Sequence, residues 1–181
     1  MPSLIPTEQW VDPTITVIDE GREVTFHIQD CFNFHGHDAV GGVVLGFRLL
    51  QAVQQILNDG RPFQRRELSL FTAFPGLGAR DVFELVTRMC SENRFKLDIN
   101  YDHPVAAKGV AGAFYYRFSY QGKEVELSPV EGAPGEEFIA TGKASKDPNA
   151  SPELLARWTA LKYGLANTLL KLKAGQAIRQ L

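Results

Sequence analysis

The stretch Phe34-His35-Gly36-His37-Asp38-Ala39-Val40-Gly41-Gly42-Val43-Val44-Leu45-Gly46-Phe47-Arg48 carries most of what this chain discloses. Two of the four histidines stand one residue apart, immediately before a helix start. Side chains at i and i+2 of an extended backbone point to the same side, so His35 and His37 can converge as half of a first-row metal site. Gly36 lets the chain bend between them, and Gly41-Gly42 permits close approach of a ligand. The helix behind them opens with unpaired N–H groups and the positive end of its dipole. That end disfavours imidazolium and leaves the neutral, ligating ring as the expected form. Two ligands alone do not make a site, and the same residues read equally as two histidines in a surface turn.

The elements on either side follow from hydropathy patterning. Thr14 to Ile28 alternates as a β-hairpin about Asp19-Glu20-Gly21, with His27 on the opposite face from Phe26 and Ile28. From Gly42 to Asn58 the period is helical. Val43, Phe47, Leu50, Val53 and Leu57 make the buried stripe, and Arg48, Gln51, Gln55 and Asn58 read as a solvated one. Asp59-Gly60 with Pro62 stops this helix.

Leu68 to Phe74 reads as a buried strand, broken at Pro75-Gly76-Leu77-Gly78. A second helix is expected over Arg80–Glu92, with Cys90 on its core face. The Gly-x-Gly before it could cradle an anion but lacks the rest of a dinucleotide fingerprint. Phe95–Tyr101 alternates as a strand, and Ala113–Tyr120 turns through Gln121-Gly122 into Lys123–Leu127 as a second hairpin. Residues 129–150, rich in Pro, Gly and charge, read as a linker-like loop. Ser151-Pro152-Glu153 then opens a long C-terminal helix over 152–174. Its stripe of Leu154, Trp158, Leu161, Leu165, Leu169 and Leu172 is longer than one compact domain readily covers, which predicts a homodimer through this helix; the alternative is that the helix lies across its own sheet, on the face opposite the two earlier helices.

Composition narrows the classes. The chain of 181 residues is read as a single α+β domain: a mixed or antiparallel sheet with packed helices and a long C-terminal helix. A net charge of −2 without a basic patch argues against nucleic acid. No signal peptide or bilayer-length apolar run is read, so no membrane partner is expected. With two cysteines, Cys31 and Cys90, the chain reads as cytoplasmic.

Residues 35–48 resemble the FmdE-like family of formylmethanofuran dehydrogenase subunits, whose members carry His-Gly-His-x-Cys-Pro-Gly followed by a helix with Leu-Gly-x-Arg. The likeness continues at Asp81-Val82-Phe83-Glu84-Leu85-Val86-Thr87 and extends over roughly residues 28–172, the first motif alone being specific. It implies an α+β core, often dimeric, with a metal site around the histidine pair. The family's metal-associated cysteine is Ala39 here and its proline is Val40. A second family cysteine corresponds to Gly78. The C-terminal zinc finger of some members is absent. Cys31, Asp38 and His103 are the residues that could stand in, Cys31 first, through a bend between residues 31 and 35.

The expectation is therefore a metal site of His35, His37, Cys31 and Asp38 holding a divalent transition metal, Zn first, with Fe or Ni admitted. Gly41, Gly42, Arg48 and Asp81 form the expected cofactor-binding set. An open metal position could polarise a carbonyl, activate water or take a small-molecule ligand. Two alternatives stand beside it. One is a non-catalytic module holding an organic cofactor such as haem near Gly41-Gly42 and Gly76-Leu77-Gly78. The other is an accessory or scaffold subunit of an oxidoreductase.

Overall fold

The computed structural model describes residues 1–181. Strands β1 (Thr14–Asp19) and β2 (Arg22–His27) form the expected hairpin, closed by Glu20 and Gly21 at φ 50° and 78°. Both central residues at positive φ match the right-handed twist of paired strands. Strand β2 runs straight into helix α1 (Ile28–His35), where the Asp30 carboxylate accepts the His27 N–H at 2.8 Å. His27 is exposed, as its strand position suggests.

Gly36, at φ 88°, ends α1 and redirects the chain into helix α2 (Val40–Asn58). This helix is the centre of the molecule, with 13 of its 19 residues buried. By length and composition it could cross a bilayer, but most of it is buried inside the fold, as a core helix is. Asp59 in the left-handed region and Gly60 terminate it at the expected place. Strand β3 (Phe63–Gln64) then pairs parallel to β1, completing a sheet of order β2-β1-β3.

The second sheet comprises β4 (Ser69–Thr72), β5 (Phe95–Leu97), β6 (Tyr116–Tyr120), β7 (Lys123–Pro129) and β8 (Ile178–Gln180), in the order β5-β4-β6-β7-β8. Only β4 and β5 pair parallel, joined through helix α3 (Leu77–Thr87). The architecture is α+β with mixed sheets and a long C-terminal helix, as expected. Leu70, Tyr116, Phe118, Tyr120, Val125 and Leu127 point from this sheet into one core shared with α2 and α3. Tyr101 and His103, from the long segment before β6, lie against Tyr115 on its other face.

Several elements depart from the sequence expectation. Helix α3 stops at Thr87, well short of Glu92. The Thr87 hydroxyl donates back to Phe83 O, Arg88 turns left-handed, and the Glu84 carboxylate collects the N–H groups of Cys90 and Ser91. Cys90 thus lies beyond the helix, half-buried. Strand β5 covers only three residues because it is a sheet edge, and the chain turns at Asp98, whose side chain accepts the Asn100 N–H.

Residues 129–150 are not a plain linker: they contain helix α4 (Glu136–Ala144), which lays Phe138 on Trp158 of helix α5 (Pro152–Leu170) with ring centroids 4.6 Å apart. Ser151 caps α5 as read, accepting the Leu154 N–H. Helix α5 ends at Leu170, and a short helix α6 (Ala174–Ala177) leads into β8, neither of which the pattern announces.

Arg48 is the largest correction. It is fully buried, not part of a solvated stripe. Its five N–H donors reach the carbonyls of Val11, Asp12, Leu169 and Leu170 and the Gln51 amide oxygen. The guanidinium thereby supplies donors to the last turn of α5, whose carbonyls have no partner within the helix. Burial pulls it down to about 10, which leaves it charged at neutral pH.

Candidate functional site

His35 is the last residue of α1, and its ring is held from both sides. The N–H of Ala39, at the start of α2, donates to Nε2 at 3.1 Å. A ring accepting at Nε2 carries its hydrogen on Nδ1 when neutral, and that Nδ1–H donates to Asp81 Oδ2 at 2.7 Å. The helix start thus meets the imidazole through a direct hydrogen bond as well as through its dipole. Asp81 is accordingly a partner of His35. Arg48, with every donor spent on the protein, has none left for a cofactor.

The remaining ligand candidates lie apart. His35 is helical and Gly36 follows it at positive φ, so no extended backbone aligns the two histidines, and His37 is exposed. The Asp38 carboxylate pairs with the Lys162 ammonium of α5. Residues 31 to 35 form continuous helix instead of a bend, and Cys31 packs into the core. Burial, with the nearby Asp30 charge, pushes its thiol up to about 12, so it is protonated and no thiolate donor at neutral pH. His103 stacks on Tyr115 across the sheet. No three His, Cys, Asp or Glu side chains converge, so the arrangement does not fit a preformed metal centre.

What the motif does assemble is a close helix packing with a cavity beside it. A Cβ on Gly46 would fall 2.8 Å from Ala79 Cα, and one on Gly78 would fall 2.5 Å from Ala39 O. Those glycines let α2 and α3 touch backbone to backbone. Gly41 does the same for α5, its absent Cβ lying 3.0 Å from Lys162 O.

Next to this contact, Ala39, Gly41, Gly42, Leu45, Gly76, Gly78 and Leu165 line a cavity of about 170 Å³, walled also by Phe74, Val110, Phe114, Phe138 and Trp158. The rings of Phe74 and Phe114 stack at 4.1 Å. Lys162 is the only charged residue on the wall. Apolar cavities of roughly 150 Å³ stay dry and hold a benzene-sized molecule. A haem macrocycle is far larger than this space. A broader groove of about 900 Å³ runs between α2 and the C-terminal segment. Its amide-rich wall, with Gln51, Gln55 and Gln176, lacks an apolar enclosure.

The aromatic wall and Lys162 escape the sequence reading. Phe138 lies in a segment whose composition reads as a linker, and Trp158 reads as one member of the leucine stripe. The signal that points to them is the pair Trp158 and Lys162 at i and i+4, which share a helix face. No protein-family model matches this chain, and no curated protein matches it.

Proposed function

We propose that the chain is a small-molecule-binding module, related to the FmdE-like formylmethanofuran dehydrogenase subunits, whose ligand occupies the cavity between α2, α5 and the Phe74–Gly78 turn. The observation that carries this reading is the wall itself: an apolar, aromatic-lined pocket, open to solvent on one side, with a single charge at its rim. Sites of this kind take small ligands by burying apolar surface, with a few polar groups fixing orientation. The family reading is supported by the meeting of Ala39 and Gly78, the two positions of the family cysteines, beside His35 and Asp81. In this chain those positions hold no thiols, and the space next to them is apolar. Melting the protein with and without saturating toluene tests the reading. The melting temperature rises in the wild type and does not in Leu165→Phe, whose ring fills the cavity. Equal curves in the wild type would refute it.

One observation favours metal binding as a second reading. Asp81 on Nδ1 is the outer-shell arrangement that orients a ligating imidazole through Nε2. A metal there would have to displace the Ala39 N–H and draw in His37. Metal analysis of untagged protein tests it: stoichiometric Zn, Fe or Ni lost in His35→Ala supports the reading, and metal-free protein that takes up none removes it.

The same proposal includes a homodimer in the cytoplasm. Leu165, Leu169 and Leu172 are taken up by the chain's own core, but Leu154 and Leu161 are only half-buried and Leu155 is 44% exposed along α5, which leaves apolar surface for a second copy. Unpaired Cys31 and Cys90 suit a reducing compartment. Sedimentation equilibrium of wild type and Leu155→Glu decides the oligomer; a monomeric wild type at tens of micromolar excludes it.

A further inference from the structure

Lys162 reaches the rim of the cavity from α5, with its side chain only 12% exposed. Its ammonium lies 5.7 Å from the centroid of the Trp158 ring and pairs with Asp38. A cation this far withdrawn from water needs a countercharge. The partner it has is unusual for that task, because the Asp38 side chain is 86% exposed. Water competes for an exposed carboxylate, so the pair is weak and readily exchanged. A carboxylate delivered from the cavity side would instead be anchored by its apolar body and shielded by the same aromatic wall.

We infer that the ligand is a small monocarboxylate, its single ring or branched alkyl group among Phe74, Phe114, Phe138 and Trp158, and its carboxylate replacing Asp38 on Lys162. This rests on the reading of the cavity as a binding site. The space within the wall is the size of one ring, and anything larger would extend out of its open side. The wall itself is almost wholly apolar, so an anionic group finds its partner only at the rim, where the Lys162 ammonium now meets Asp38, and the wall offers no second charge. Asp38 then acts as a built-in competitor, which holds Lys162 in place when no ligand is present.

Amide NMR titration of the full chain with phenylacetate and with its neutral amide, phenylacetamide, tests this. The acid binds about tenfold more tightly than the amide, as expected for a charge-assisted contact in a shielded site. Lys162→Met abolishes that preference while leaving amide binding in place. Asp38→Asn, an exposed change that does not threaten folding, tightens binding of the acid roughly threefold by removing the competitor, and leaves the amide unchanged. Equal affinity of acid and amide in the wild type, or a preference that survives Lys162→Met, overturns the carboxylate assignment while the cavity remains a binding site. Failure of both compounds to bind overturns the assignment and the cavity reading together.

Discussion

Asp81 Oδ2 and His35 Nδ1 lie 2.7 Å apart, and through that bond the last residue of α1 is tied to the second turn of α3. The His35 side chain is 7% exposed, so the pair works largely out of water on the histidine side. With Ala39 N–H on the opposite nitrogen, the ring staples α1, the start of α2 and α3 together. Removing either partner leaves a polar group of the other without its bond. Asp81→Ala and His35→Ala should each cost about 1–3 kcal/mol, with a coupling of about 1–2 kcal/mol in a double-mutant cycle. Urea denaturation measures this, and additive effects would mean the bond contributes nothing.

Arg48 bears on stability in the same way, through a larger network. Arg48→Met keeps much of the volume but removes five hydrogen bonds; Leu169, Leu170 and Asp12 O keep one other donor each, while Val11 O and the Gln51 amide oxygen lose theirs. The expected loss is about 3–5 kcal/mol, since a buried, hydrogen-bonded charge has been taken from its partners. Arg48→Lys should recover only part, because an ammonium cannot fork to several carbonyls at once. Denaturant midpoints of the two variants check the order; equal stabilities would refute it.

The glycines of α2 divide by what surrounds them. A methyl group on Gly46 would strike the backbone of Ala79 at 2.8 Å, whereas one on Gly42 would find its nearest neighbour at an ordinary 3.5 Å. Gly46→Ala should therefore destabilise by about 1–3 kcal/mol. Gly42→Ala should be neutral or stabilising by up to about 1 kcal/mol, from helix propensity. The opposite signs are readable in a single urea series.

Local signals in the sequence located the elements, and long-range partners decided what the residues in them do. Both hairpin turns and the Ser151 cap depend on neighbours within a few positions, and they form as read, although the second hairpin starts at Tyr116 instead of Ala113 and runs on to Pro129. The length of α3 depends on Thr87 and Glu84 bonding to backbone ahead and behind, which hydropathy does not register. Arg48 sits in a sequence position that looks solvated, yet its acceptors lie at residues 11, 12, 169 and 170. His35 and His37 share a motif, but one positive-φ glycine separates their roles. The cavity draws Gly41, Gly42, Gly76 and Gly78 to one wall. Part of its aromatic side comes from α4, in a segment whose Pro-Gly composition hides a helix.

The Cys31 thiol gives the fold an alkaline weakness. Burial raises it from its ordinary 9.0 to about 12. Between those values the unfolded chain loses a proton that the folded chain keeps, so stability falls as pH rises. For this thiol the loss is about 1.4 kcal/mol by pH 10. Tyr115 and Tyr116, also raised by burial, act in the same direction at higher pH. Urea midpoints between pH 7.5 and 10.5 should fall less steeply for Cys31→Ala than for the wild type, and parallel curves would show that the thiol is not involved.

The most direct measurement is an amide NMR titration with benzene, which carries no charge and so probes the cavity apart from Lys162. Saturable shifts are expected at the amides of Ala39, Gly41, Gly42, Gly76 and Gly78 and at the Trp158 indole N–H, all on or beside the wall. Shifts that never saturate, or that gather instead around Gln51, Gln55 and Gln176 in the polar groove, would contradict the cavity as the binding site.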